Sequence, residues 1–483
     1  MSEPDRTPPK VHLRIHGEKL AVGSGGSHEH VSPATGDVDA VIPMAGKEEI
    51  DLAVAKAQEA FGTWKRTRPA VRRQLLLKLA DLIEAHAAEF GRLGALDNGT
   101  PLAAGAAFPQ LSAEWTRYYA GWADKLTGDL TGNPQDLGEL GYTLAQPYGV
   151  VGIIITWNGP LISLAMKIPA AVAAGNTVVV KPSELTPFSG ELFMDLVEEA
   201  GFPPGVINVL PGTAEAGAHL VSHPLVKKIT FTGGPATASR ILEACAADMK
   251  PAVLELGGKS ANIVFEDADL LAACRLGTTF SLIALSGQGC AFATRMIVQD
   301  SVYDEVVATV KTIAENIPVG DPFDPEIASG PVVNEAAVDR ILGMIERAEE
   351  QGATVLTGGK RIDRPGYFIE PTVLVDVDPA SEIAQTEVFG PVLCLFRFST
   401  EEEAIALANG TRYGLSSYVQ TKDLTRAIRV ATELEAGETL INGAMNLQVG
   451  RPFGGFGLSG VGKEGGREGI EEFLRTRSIA IAI

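Results

Sequence analysis

A thiol preceded by glycine is the first feature of this chain able to attack a substrate. In "GQGCAFATR", Gly287 to Arg295, Cys290 follows Gly289, with Gly287 two positions further back. Glycines at these positions read as clearance for an approaching molecule, and a cysteine thiolate is a strong nucleophile even at a modest ionised fraction. The nine residues alone leave two readings open: a nucleophile in an open pocket, or a small apolar residue in a tight turn. The other cysteines, Cys245, Cys274 and Cys394, fall in apolar helix-like or strand-like runs and read as core. No two cysteines show CxxC spacing, so a zinc site or redox pair is not expected. "HEH", His28 to His30, lacks further ligands, so no metal is expected there either.

Any partners of Cys290 must be held by the elements around it. "YGVVGIIIT", "NTVVVKP", "GVINVLPG", "VKKITFTGG" and "AVLELGG" are short Val- and Ile-rich runs bounded by Gly or Pro, and read as buried strands. Helical patterns lie between them. Strands apolar throughout, alternating with helices, describe a parallel sheet covered on both faces, with ligands at the carboxyl ends of its strands. Polar groups gather at those ends: Trp157, Asn158 and Gly159, then "KPSE" with Lys181 and Glu184, "TGG", and Glu255 in "ELGGKS". A later strand-like run, "TEVFGPV", holds Glu387 and Phe389. Ahead of this block, residues 47–97 read as long amphipathic helices, the second continuous from "PAVRR" to "GALD". After it, from about residue 258, a second strand–helix alternation predicts a second α/β domain. The C-terminal "RSIAIAI" alternates with period two and needs a sheet edge, in its own chain or in another subunit.

Bulk properties narrow the function classes. At 483 residues the chain is long for one core, and about 150 residues per domain suggests three. A net charge of −20 repels polyanions, so neither nucleic acid nor an anionic membrane is an expected partner. The first residues lack a signal-peptide pattern, and no uninterrupted apolar run of about 18–20 residues occurs. A reducing cytoplasm is the expected location.

Taken in order, "VSPATGDV", "WNGP", "GNTVVVKPSE", "FTGG", "LELGGKS", "GQGCAFATR", "EVFGPV" and "PFGGFGLSGVGKEGG" carry a specific likeness. The chain resembles the aldehyde dehydrogenase superfamily over nearly its whole length. "LELGGKS" places Glu255 35 residues before Cys290, and this pairing is the most specific part of the pattern. The resemblance implies oxidation of an aldehyde to the carboxylic acid through a cysteine thiohemiacetal and a thioester. Cys290 would be the nucleophile, Asn158 the oxyanion donor and Glu255 the base that activates water. Lys167 and Glu464 match positions that relay the proton; on their own they read as a helix-face lysine and a solvated glutamate. An acyl-transferring or reducing enzyme on the same scaffold is the first rival, and Glu255 argues against it because the CoA-acylating branch typically lacks that residue. A non-catalytic NAD-binding protein is the second, and it would have no reason to keep Cys290, Asn158 and Glu255 together.

For the cofactor the resemblance implies contacts from Thr156, Trp157, Lys181, Ser183, Glu184, Gly233, Gly234, Leu256, Gly257, Glu387 and Phe389. There is no GxGxxG after the first strand, and Gly234 and Ala238 depart from the family's usual serine and glycine. A carboxylate at Glu184 accepts from a ribose 2′-hydroxyl and repels a 2′-phosphate, so NAD is expected, with NADP possible. Thr156 stands where relatives usually have proline. The aldehyde tunnel would be lined by Gly159, Ile162, Met166, Gly289, Ala291, Met445, Leu447 and Phe453. This apolar set, with glycine at Gly159 in place of a bulky aromatic, implies a hydrophobic or aromatic aldehyde. Arg451 is a candidate partner for a substrate carboxylate. The implied architecture is two doubly wound α/β domains plus a β oligomerisation element. Residues 1–124 and 148–257 would bind the cofactor and 258–459 would form the catalytic domain. Residues 125–147 and 474–483 would form the oligomerisation element of a homodimer or homotetramer, with 460–473 as a connecting segment.

Overall fold

The computed structural model describes residues 4–131, 139–443 and 447–482. Two sheets dominate it. The first has eight strands, and its centre is the parallel run Ile207–Val209, Thr177–Lys181, Val150–Ile154, Val226–Thr232 and Ala252–Glu255. Every residue of Thr177–Lys181 is buried, which is why the strand reads as unbroken Val rather than as an alternation. Leu13–Ile15, with Glu18–Leu20 outside it, and Gly460–Val461 flank this run as antiparallel strands. The segment 460–473 thus supplies an edge strand as well as a connection.

The second sheet has seven strands in the order Thr354–Thr357, Thr372–Val375, Val392–Phe398, Arg295–Gln299, Ala261–Val264, Ser416–Gln420 and Glu438–Ile441. All its pairings are parallel except that of Thr354–Thr357. A third sheet joins Leu474–Ala482, Glu139–Pro147 and Leu130–Thr131, all antiparallel. The C-terminal strand therefore finds its edge within its own chain, from Leu474↔Pro147 to Ala482↔Glu139. The tip of the expected hairpin, residues 132–138, lies outside the described residues.

Three local expectations are corrected. The long second helix is two, Pro69–Ala85 and Ala87–Asn98, broken at His86, which leaves the helical region at φ −101°, ψ 21°. Glu387 and Phe389 do not lie in a strand: they precede Val392–Phe398, and Phe389 holds a left-handed φ of 49°. The α-helical pattern before Cys290 runs only through Leu270–Thr278, then widens into a π turn, Thr279–Ile283, and tightens into a 3₁₀ turn, Ala284–Gly287. Leu270–Gly287 is also the one stretch among the described residues long and apolar enough to cross a membrane. Here it packs against the second sheet, with Cys274 and Leu282 fully buried.

Candidate active site

The two sheets meet end to end. The first offers the carboxyl ends of its strands, carrying Thr156, Asn158, Lys181, Thr232 and Glu255. The second offers amino ends: Lys259 and Ser260 precede Ala261, Cys290 precedes Arg295, and Glu387 precedes Val392. The strand-end rule therefore holds for the first sheet and is reversed for the second.

Cys290 sits at the end of a strained loop. Leu285, Ser286 and Gly287 hold φ of 48°, 53° and 73°, a sparsely populated region for the two that carry side chains. Hydrogen bonds fix this path. Ser286 Oγ donates to the Gly330 carbonyl at 2.8 Å, Gln288 Nε2 donates to the Leu285 carbonyl at 2.9 Å, and Gln288 Oε1 accepts from the Val333 N–H at 3.0 Å. Packing also requires the glycines here. A Cβ at Gly287 would lie 2.2 Å from the Gly390 carbonyl oxygen, and one at Gly289 would lie 2.4 Å from the Phe292 ring.

Around the thiol lies a cavity of about 490 Å³. Cys290, Asn158, Glu255 and Glu464 all line it, as do Gly159, Ile162, Met166, Gly289, Ala291, Leu447 and Phe453. Met445 lies outside the described residues. Lys167 does not reach the cavity. It is buried behind Glu464, forms an ion pair with it, and donates to Thr230 Oγ1 at 3.2 Å. Asn158 Nδ2 donates to the Gln288 carbonyl at 2.8 Å, while Asn98 Nδ2 donates to the carbonyls of Trp157 and Asn158 at 3.1 and 3.2 Å.

Burial sets the acid–base character. Glu255 is 3% exposed and neither carboxyl oxygen has a hydrogen-bond partner. Burial first, then the charge of Glu464, holds its carboxyl well above the ordinary carboxylate range. The Cys290 thiol is pushed up to about 12 by burial and by the Glu387 and Glu255 carboxylates. Glu387 is raised to about 7 by burial, although Oε1 accepts the Gly258 N–H at 2.9 Å.

Sequence reasoning missed one wall of the cavity. Helix Ala107–Trp122 brings Phe108 and Leu111 onto it at helical spacing, with Gln110 and Glu114 exposed; the turns before Cys290 add Phe280 and Leu285, and Phe292 follows it. The i, i+3 apolar spacing of Phe108 and Leu111 was visible, but nothing in it indicated which cavity the helix would line. Trp115 on the same helix donates from Nε1 to the Leu447 carbonyl at 3.0 Å. Arg451 is absent from the cavity lining and forms an ion pair with Glu438 at 3.1 Å.

Most of the residues expected to hold a cofactor follow strands of the first sheet, while Glu387 and Phe389 lie on the loop before Val392–Phe398 of the second. Lys181 Nζ lies 3.4 Å from Glu184 Oε2 and donates to the Gly212 carbonyl at 2.5 Å. Ser183 Oγ accepts the Leu185 N–H and turns inward to that loop. Helix Pro235–Ala246 opens at Gly234 with no side-chain cap, and no atom lies within 4 Å of where a Gly234 Cβ would stand. Space thus lies beside the helix start, where Pro235 carries no N–H and the Thr237 and Ala238 N–H groups donate to the Gly234 carbonyl at 3.2 and 3.1 Å. Gly233 N–H donates to the Glu255 carbonyl at 3.0 Å, which ties this turn to the strand carrying Glu255. Leu256 and Gly257 are clamped by Ser459, whose carbonyl accepts the Leu256 N–H at 3.0 Å and whose Oγ donates to the Gly257 carbonyl at 2.7 Å. Trp157 and Phe389 meet edge to face, with centroids 5.3 Å apart. The uncapped helix start and partly exposed Glu184 fit a dinucleotide. His30, by contrast, lies in a strand with Nδ1 2.5 Å from Asp39 Oδ1, and no cluster able to hold a metal occurs among the described residues.

An apolar cavity ending in a thiol, a side-chain amide and a buried carboxylate, set between two α/β sheets, defines an enzyme that acts on a carbonyl. The aldehyde dehydrogenase family profile matches residues 22–479, and the chain belongs to that family. An aldehyde dehydrogenase of Enchytraeus buchholzi is 40% identical, over 100% of this chain and 99% of that protein. The structure of PnpE from Pseudomonas sp. WBC-3 is 41% identical and superposes with a TM-score of 0.95 over 98% of each chain. The NAD+ complex of a Bacillus cereus aldehyde dehydrogenase is 39% identical, with a TM-score of 0.95 over 98% of this chain and 97% of that one.

Proposed function

We propose that this enzyme oxidises uncharged hydrophobic aldehydes, aromatic ones foremost, to carboxylic acids with NAD as cofactor. The observation that carries the reading is the convergence of Cys290, Asn158 and Glu255 at one apolar cavity. Cys290 first gives up its thiol proton to water, then Sγ adds as the thiolate to the carbonyl carbon, and the carbonyl electron pair moves to oxygen. Asn158 Nδ2, turning from the Gln288 carbonyl, donates to that oxygen; one such donor typically contributes about 10²–10³ in rate. When bound, NAD supplies the hydride acceptor and a cationic ring whose charge favours the thiolate. Loss of hydride leaves a thioester on Cys290. Glu255 then takes a proton from water as the water oxygen attacks the thioester carbon, and Cys290 leaves as thiolate. Glu464 and the Lys167 behind it offer that proton a way out.

The preference for uncharged aldehydes rests on the lining. Phe108, Phe280, Phe292 and Phe453 supply ring surface, and besides the Cys290 thiol the ionisable lining residues among those described are the carboxyls of Glu114, Glu255 and Glu464. A carboxylate-bearing aldehyde would meet like charge and no cation, since Arg451 is paired with Glu438. Glu184 near the ribose site favours NAD over NADP. The first sheet with its helices would form the cofactor domain and the second the catalytic domain. Leu474–Ala482 is an edge strand with one side unpaired among the described residues, a surface suited to assembly into a homodimer or homotetramer. The four cysteines are all free thiols, in keeping with a reducing compartment. Assaying NADH and NADPH formation over short, long-chain, aromatic, cationic and carboxylate-bearing aldehydes tests the reading. Preference for aromatic substrates with NADH is the expected result, and preference for a carboxylate-bearing aldehyde would refute the substrate class.

A further inference from the structure

We propose that a small cavity beneath the Gly258–Ser260 turn, ringed by Lys259, Ser260, Ser416 and Arg295, binds one monovalent anion of halide size. The cavity measures about 20 Å³, and a void needs only about 10–15 Å³ to hold one water-sized particle. Three side chains on its wall are buried with polar atoms that have no hydrogen-bond partner: Lys259 Nζ, Ser260 Oγ and Ser416 Oγ. Lys259 is 2% exposed, Ser260 3% and Ser416 3%. Arg295, 5% exposed, directs Nε, Nη1 and Nη2 to the carbonyls of Lys259, Leu407 and Ala408, each at 2.7 Å, and to no carboxylate. A guanidinium has five N–H donors, so two remain for a further acceptor.

Two buried cationic side chains thus share one void without a counter-charge in contact. Glu387 acts on Lys259 only through space, and Glu435, which also lines the cavity, is exposed. Asn409 is already engaged, donating to the Glu433 carbonyl and accepting the Glu435 N–H. A buried charge is costly unless it is both paired and hydrogen-bonded. Water would meet the hydrogen-bonding need alone, whereas a small anion meets both and accepts from the ammonium, the hydroxyls and the guanidinium together. Burial lowers the affinity of Lys259 for its proton, and an adjacent anion restores it.

The position gives the anion a mechanical role. The turn it underlies presents the Gly258 N–H to Glu387, and Arg295 opens the strand that follows Cys290. An ion here ties the two segments that flank the reacting centre. The test uses the whole enzyme. Crystals soaked in sodium bromide are expected to show an anomalous peak within the ring of Lys259, Ser260 and Ser416. Melting in sodium bromide should lie about 2 °C or more above melting in sodium gluconate at equal ionic strength, because gluconate is too large to enter. Lys259→Met should abolish that difference, and Ser416→Ala, a milder change, should reduce it. No peak at this site, or equal melting of the native enzyme in both salts, would overturn the proposal, and neither observation depends on a variant folding.

Discussion

The side-chain amide of Asn158 donates to the carbonyl of Gln288 at 2.8 Å, so the proposed oxyanion donor is held by the loop that carries the proposed nucleophile, two residues before Cys290. Asn98 grips the same segment from the other side through the Trp157 and Asn158 carbonyls. Asn158→Ala is expected to lower kcat by about 10²–10³-fold with little change in KM, since the contact is made mainly when charge develops on oxygen. Steady-state kinetics with one good substrate checks this, and a KM effect alone would assign Asn158 to ground-state binding.

The raised affinity of Glu255 for its proton gives a pH signature. Its base form grows as pH rises, so kcat should climb from neutral to alkaline pH wherever thioester hydrolysis limits turnover. A pH–rate profile of kcat that is flat over this range would argue against Glu255 as the base.

Glu387 makes a separate prediction about stability. Its carboxyl is raised to about 7, so the folded enzyme favours the neutral form. That contribution is complete below the ordinary pKa of about 4.3 and is lost as pH rises through about 7. Glu387→Gln should therefore gain in melting temperature relative to the native enzyme at pH 8, and the gain should vanish by pH 4. Thermal melts at the two pH values read the difference.

Gly159 leaves room that a side chain would take. A Cβ there would stand 2.9 Å from Ile162 Cγ2, at the cavity wall. Gly159→Leu is expected to cut kcat/KM for an aromatic aldehyde at least about 10-fold while sparing a two- or three-carbon aldehyde. Equal losses for both would mean that the cavity wall at this position does not select by size.

Much of the first sheet was legible because each strand is buried on both faces and so reads as a continuous Val and Ile run, Thr177–Lys181 most plainly. The C-terminal strand was legible as a strand but not as to its partner, since alternation fixes a face and not a neighbour. Glu387 and Phe389 were misplaced because "TEVFGPV" looks like a strand, while Phe389 adopts a left-handed φ that only the surrounding packing imposes. Gly287 and Gly289 were legible as required, but the packing against Gly390 and Phe292 that also demands them was not. Phe108 and Glu114 were missed because a helix 180 residues from Cys290 carries no local sign of the cavity it faces.

The central claim is that the oxidised substrate passes through a covalent bond to Cys290. Intact-mass analysis of Glu255→Gln, mixed with NAD and an aromatic aldehyde, tests it most directly. One NADH per site, together with an acyl group on the peptide containing Cys290 and its absence from Cys290→Ser, is the predicted result. Continued NADH formation with no adduct, or turnover by Cys290→Ser at a native rate, would contradict it.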